Sequence, residues 1–147
     1  MAPLSDLIDL LGAFDEESVE YLLVGGQAVA LHGAPRFTKD ADIWVHDVPD
    51  NCARTVRALG KFGAPRSVIE AFLAAGGLDV VWMGQPPARI DLMKNVPAGD
   101  FERAWGTRCA FDLDGQRVWC VSRDELVALK MASARPQDLL DVEKLKT

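Results

Sequence analysis

"GGQAVALHGAPRFTKDADIWV", Gly25 to Val45, is the stretch whose reading decides the fold. Near its end Asp40 and Asp42 stand two apart and lead straight into Ile43, Trp44 and Val45. A short apolar run of this kind reads as a strand entering the core. Successive strand side chains point to opposite faces, so Asp40 and Asp42 share one face, about 6–7 Å apart along the chain. Ala41, Ile43 and Val45 then point into the core. Two carboxylates held this close repel one another, and a divalent cation between them makes the arrangement favourable. Ligands that are all oxygen select Mg2+ or Mn2+ over zinc.

Upstream, "VEYLLV" is an apolar run ending at Gly25-Gly26 and reads as a buried strand. "GQAVALHG" reads as a short helix closed near Gly33. Glycine lets backbone approach a ligand, and free N–H groups at a helix start favour phosphate. The pair is neither Gly-x-Gly-x-x-Gly nor a Gly-Lys-Ser/Thr loop, and alone it reads equally as a turn. Downstream, "RIDLM" sets Asp91 between Ile90 and Leu92. An isolated acid flanked by core residues needs a partner. If this strand lies beside "DADIWV", Asp91 completes a three-carboxylate cluster. Such a cluster can hold two metal ions about 3.5–4 Å apart, the geometry of phosphoryl-type displacement. An Asp-x-Asp pair by itself is more often a solvated strand end.

The other elements follow from periodicity and punctuation. Ser5 is expected to cap a helix over "DLIDLLGAF", with Leu7, Leu10, Leu11 and Phe14 inward. "PDNCARTVRALGKFG" reads as a helix with Cys52, Val56 and Leu59 on its inner face, and Arg54, Arg57 and Lys61 outside. "APRSVIEAFLAAGG" is another, capped by Ser67 and stopped at Gly76-Gly77. "LDVVWMG" and "ARIDLMKN" are strands separated by Gln85-Pro86-Pro87, and "AGDFERAW" is a short helix. Asp114-Gly115 suits a two-residue hairpin loop, with Leu113 opposite Gln116 and Cys109 opposite Cys120. Opposed cysteines can lie within disulfide reach, but in a reducing cytosol two thiols are expected. Ser122 and Glu125 form a Ser-x-x-Glu capping box. Pro136 ends that helix and starts the last one, "PQDLLDVEKL". Strands and helices intermix without repeats or linkers. The expectation is one α/β (α+β) domain over residues 1–147, a mixed sheet flanked by helices, with C-terminal helices over about 122–147.

Bulk composition narrows the class. The chain has 147 residues, 49% of them apolar, enough for a core. A net charge of −6 argues against a protein that coats nucleic acid, although Arg54, Arg57, Lys61 and Arg66 would make one local basic patch. The N-terminus carries acids through its apolar stretch, unlike a signal peptide, and no segment is long and apolar enough to span a membrane. A soluble, cytoplasmic protein is expected. Three cysteines without CxxC spacing and two histidines do not suggest a zinc site.

The order of strand, Gly-Gly, short helix, Asp-x-Asp and later Asp resembles the nucleotidyltransferase superfamily, the fold of DNA polymerase beta and the antibiotic adenylyltransferases. "GGQAVALHG..RFTKDADIWV" is particularly similar to the AbiEii-type toxin nucleotidyltransferases and their bacterial relatives. "ALKMASARPQDLLDVEKL" is similar to their Lys…Arg-Pro-x-Asp-x-x-Asp ending. The resemblance spans about Tyr21 to Leu145 and implies a minimal nucleotidyltransferase domain. It also implies roles. Gly25 and Gly26 would hold the phosphates of a nucleoside triphosphate. Asp40, Asp42 and Asp91 would bind Mg2+ (or Mn2+), with Asp91 the base for the acceptor hydroxyl. Lys130 would neutralise phosphate. Arg36, Thr38 and Lys39 would contact phosphate or acceptor. Asp138 is placed in the nucleotide site, where with Asp141 it would orient Lys130 or Arg135. Larger relatives continue into a helical domain that grips the acceptor, so a second copy of this chain, or a toxin or antitoxin partner, would complete the site.

Three functions follow from that likeness. One is a toxin that modifies RNA or protein, the second a small-molecule (antibiotic) adenylyltransferase, and the third a non-catalytic antitoxin or binding module. The intact acids speak against the third. His32 is read as a helix-end histidine with a satisfied ring, against a contact to nucleotide. Trp44 is read as core, against a base-stacking residue.

Overall fold

The computed structural model describes residues 2–34, 40–85 and 88–146. Its elements in chain order are α1 (Ala2–Glu16), β1 (Tyr21–Val24), α2 (Gly25–Leu31), β2 (Asp40–Val45), α3 (Pro49–Phe62), α4 (Arg66–Ala74), β3 (Val80–Met83), β4 (Arg89–Met93), α5 (Phe101–Gly106), β5 (Cys109–Leu113), β6 (Gln116–Cys120), α6 (Arg123–Ser133) and α7 (Pro136–Lys146). The strands form one mixed sheet in the order β3-β4-β2-β1-β6-β5. β1 runs antiparallel to β2, while β2 and β4 are parallel neighbours. β3 closes one edge against β4, and the β5–β6 hairpin closes the other.

Central strands are covered on both faces and read as continuous apolar runs. All four residues of β1 are buried, as are Ile43, Trp44 and Val45 of β2. α1, α3 and α4 form one contiguous layer, and α2, α6 and α7 another. Edge strand β3 alternates, with Val81 and Met83 buried and Val80 and Trp82 exposed. No helix among the described residues is long and apolar enough to cross a membrane.

Several local expectations hold. The Asp-Gly turn has φ of 52° at Asp114 and 92° at Gly115, the left-handed pair that a tight hairpin loop needs. Its register sets Leu113 opposite Gln116 and Cys109 opposite Cys120, and the three cysteines are free thiols. Others are corrected. α1 begins at Ala2, so Ser5 lies inside the helix rather than capping it. α4 begins after Pro65 and has no side-chain cap, so Ser67 is helical. α3 buries Asn51, Thr55, Ala58 and Leu59, while Cys52 and Val56 are only partly covered. The burial of Asn51 has a polar cause: its amide donates to the Glu20 and His46 carbonyls and accepts from Glu20 N–H at 2.7 Å. Three backbone groups are satisfied by one side chain, which offsets the cost of burying it. Ser122 caps α6 by accepting from Glu125 N–H. The reciprocal half of the capping box is replaced, because the Glu125 carboxylate pairs with Arg103 of α5. α5 has an N-cap of its own, Asp100, which the sequence reading passed over.

The residues of the expected basic patch also make contacts within the chain. Arg57 and Lys61 pair with Glu17, Arg66 with Glu70, and Arg54 donates to the Ser18 carbonyl.

Candidate functional site

Hydrogen-bonded strand pairing places the acids. Along the parallel β2–β4 pair, Asp42 lies opposite Asp91 and Asp40 opposite Arg89. Partners across a ladder point the same way, so these side chains share one face. One carboxylate oxygen from each of Asp40, Asp42 and Asp91 falls within 4.8 Å of the others. Asp91 is buried, and the other two are partly so. The electrostatic cost is visible at Asp42. Its carboxyl is pushed up from 3.8 to about 7 by burial first, then by the charges of Asp40 and Asp91, with Lys130 pulling the other way.

Gly25 makes this crowding sterically feasible. It sits at φ +68°, and a Cβ built there would lie 2.2 Å from Asp42 Oδ2. The glycine therefore clears the space that the Asp42 carboxylate occupies, besides opening α2.

An arginine adjoins the cluster. Arg89 Nε donates to Asp91 Oδ1 at 2.7 Å, and the same guanidinium lies 5.1 Å from the centre of the Trp82 ring. Sequence reasoning missed Arg89. The signal was present, since positions two apart on a strand share a face and "RID" sets Arg89 beside Asp91. Asp91 thus carries a cation partner of its own while still offering an oxygen to the cluster. Three carboxylate oxygens gathered this closely fit a divalent cation such as Mg2+ or Mn2+.

A cavity of about 540 Å3 opens over the cluster. Gly25, Gly26, Asp40, Asp42, Asp91, Lys130 and Asp138 all border it, so seven residues singled out from five elements meet in one space. Arg36, Thr38 and Lys39 lie outside the described residues. The far wall is built by α6 and α7. Lys130, buried, sits 3.2 Å from Asp138 Oδ1 and 2.9 Å from Asp141 Oδ2. Arg135 Nε donates to Asp138 at 2.8 Å while its side chain stays 76% exposed. Burial alone would raise the Asp138 carboxyl, but hydrogen bonds from Arg135 and Lys130 outweigh it and hold the group below its usual range. The near wall is apolar: Val80, Met93, Val96 and Pro97.

His32 and Trp44 fall outside the cavity lining. The His32 ring bonds the Val121 carbonyl at 2.8 Å and meets Phe111 edge-on. Trp44 is 2% exposed, donates to the Lys94 carbonyl and packs against Phe101.

Comparisons with known proteins agree with this layout. A family model described as a nucleotidyltransferase of unknown function (DUF6036) matches residues 3–146. No curated protein matches the chain by sequence. Among solved structures, ANT(2")-Ia in complex with adenylyl-2"-tobramycin superposes with a TM-score of 0.65 at 13% identity, over 99% of this chain and 88% of that one. The lincosamide antibiotic adenylyltransferase LnuA, lincomycin-bound, gives 0.56 at 17%, over 97% and 95%. An antigenic nucleotidyltransferase-like protein from Paracoccidioides brasiliensis gives 0.59 at 17%, over 95% and 74%. At these identities the likeness is one of fold.

Proposed function

The chain belongs to the family of nucleotidyltransferases of unknown function (DUF6036), and on that premise we propose that it transfers a nucleoside monophosphate from a nucleoside triphosphate to an acceptor hydroxyl. The observation that carries the reading is the meeting of Asp40, Asp42 and Asp91 in one cavity with Gly25, Gly26 and Lys130.

In this reading Asp40, Asp42 and Asp91 hold Mg2+ or Mn2+. When bound, the ion neutralises the triphosphate and polarises its α-phosphorus. The chain supplies the rest. Gly25 and Gly26 give the phosphates a floor with no side chain in the way. Lys130, itself buried, provides positive charge that acts more strongly there than at the surface. Asp138 acts behind it, fixing Lys130 and Arg135 rather than touching the nucleotide. Asp91 takes the proton from the acceptor hydroxyl, and pyrophosphate leaves. Arg36, Thr38 and Lys39, just before Asp40, are proposed to contact phosphate or acceptor.

Two acceptor classes remain distinct proposals. The AbiEii-like motifs favour a toxin acting on RNA or protein. That C-terminal motif, however, forms the buried Lys130–Asp138–Asp141 set, a job any acceptor would require. A small-molecule acceptor is favoured by a specific observation: Arg57 and Lys61 share Glu17 and Arg66 pairs with Glu70, acids that temper the positive charge a polyanion would need.

The test is incubation of wild type and the Asp40→Ala/Asp42→Ala double variant with labelled nucleoside triphosphates, Mg2+ and a cell extract. Label that depends on the two acids is expected, and its location in RNA, protein or small molecules assigns the acceptor class. If wild type neither transfers label nor binds Mg2+ and nucleotide, the non-catalytic binding module is the correct reading.

A further inference from the structure

With the nucleotide phosphates beside Lys130, the side of Asp91 away from the α6–α7 wall is left for the acceptor hydroxyl. Three observations mark out that side. First, Trp82 lies directly opposite Asp91 in the β3–β4 register and Val80 opposite Met93, so Trp82 and Val80 share the face that carries the acids. Second, this face of β3 is exposed. Trp82 is 57% exposed and Val80 46%, while Val80 joins Met93, Val96 and Pro97 in lining the cavity. Third, the shelf presents no spare cation among the described residues. Arg89 is held by Asp91, and Lys94 donates to the Ala75 carbonyl while lying over the Phe72 ring.

An exposed indole beside a polar cluster needs an explanation, because exposed apolar surface of this kind tends to mark a binding site. The Arg89 guanidinium, over one side of the ring, helps to hold the indole in place. We infer that Trp82, with Val80, Met93, Val96 and Pro97, is the acceptor subsite, and that the acceptor is a small hydroxyl-bearing ring compound whose apolar face lies on the Trp82 indole. The inference rests on the nucleotidyl-transfer reading and sharpens it. The acceptor oxygen forms a bond to the α-phosphorus of the nucleotide, and its proton passes to Asp91. The bond between the α-phosphorus and its bridging oxygen breaks, and pyrophosphate leaves with that electron pair. A ring lying on Trp82 is one strand away from Asp91, within reach of that proton transfer. Among the described residues the shelf offers a phosphate-rich polymer no spare cation.

The test uses the full chain as wild type, Trp82→Ala and Trp82→Phe. Binding of Mn2+ and of a non-hydrolysable ATP analogue is measured by calorimetry. Transfer from labelled ATP is measured into the low-molecular-mass fraction of a cell extract and separately into its RNA and protein. Trp82→Ala is expected to bind Mn2+ and the analogue as wild type does, while transferring label to the low-mass fraction about tenfold more slowly, the loss of roughly one aromatic contact. Trp82→Phe is expected to recover most of that rate. Equal transfer by Trp82→Ala, or label found in RNA or protein, overturns the inference. Wild type that binds Mn2+ and the analogue but labels no low-mass compound also overturns it, and leaves the metal and nucleotide assignments standing. Wild type that binds neither ligand removes the inference and the nucleotidyl-transfer reading together.

Discussion

Gly25 was legible as a glycine that mattered, but its principal neighbour was not. The sequence suggests a phosphate cradle, whereas the structure sets it against the Asp42 carboxylate, a contact between residues seventeen apart that no local pattern encodes. Gly25→Ala combines a forbidden contact with a left-handed backbone. It is expected to cost about 1–3 kcal/mol of stability and to weaken Mn2+ binding about tenfold or more, as read by denaturant titration and calorimetry. Asp42 supplies a pH prediction. In the ion-free protein its carboxyl titrates near 7, against 3.8 unperturbed. Between those values the folded state keeps a proton that the unfolded state has lost, so stability falls as pH rises across the window. Asp42→Asn is expected to remove that slope and to raise the ion-free melting temperature above neutral pH. Added Mn2+ should stabilise wild type but not the variant. Thermal melts with chelator and with Mn2+ check both statements.

At the scale of elements, the last two helices show what spacing reveals and what it hides. Ser122 and Pro136 were readable as start and break signals because capping and proline geometry are local. The state of the charges was not. As charged residues at helical spacing, Lys130, Asp138 and Asp141 carry no local signal of burial, yet they are 6%, 2% and 0% exposed. Burial depends on α7 folding back on α6, and that is a tertiary fact. Lys130→Ala would remove a cation that pairs with both buried acids and leave Asp138 to Arg135, and about 3–5 kcal/mol of stability is expected to be lost. Ser122→Ala is expected to cost only about 1 kcal/mol. Chemical denaturation of the two variants side by side separates an ion cluster from a cap.

At the scale of the whole molecule, the fold class followed from the intermixed strands and helices, but the strand order did not. β3 takes the sheet edge and β4 turns back between it and β2, and that order brings Asp91 to Asp42. Sequence-based reasoning could state the adjacency as a condition and had no means to derive it. The order also ranks local stability. β1, β2 and β4 are covered by neighbours on both sides, while β3 and β5 are edges. Amide hydrogen exchange is expected to be slowest in Tyr21–Val24 and Ile43–Val45 and fastest in the edge strands, since protection follows burial and pairing. The parallel ladder between β2 and β4 has one more consequence. The separation of Asp42 from Asp91 is a strand spacing, set by backbone hydrogen bonds and not by a movable loop. The cluster is thus a rigid gauge for ionic radius, and a carboxyl lengthened by a single methylene would find no slack to absorb it.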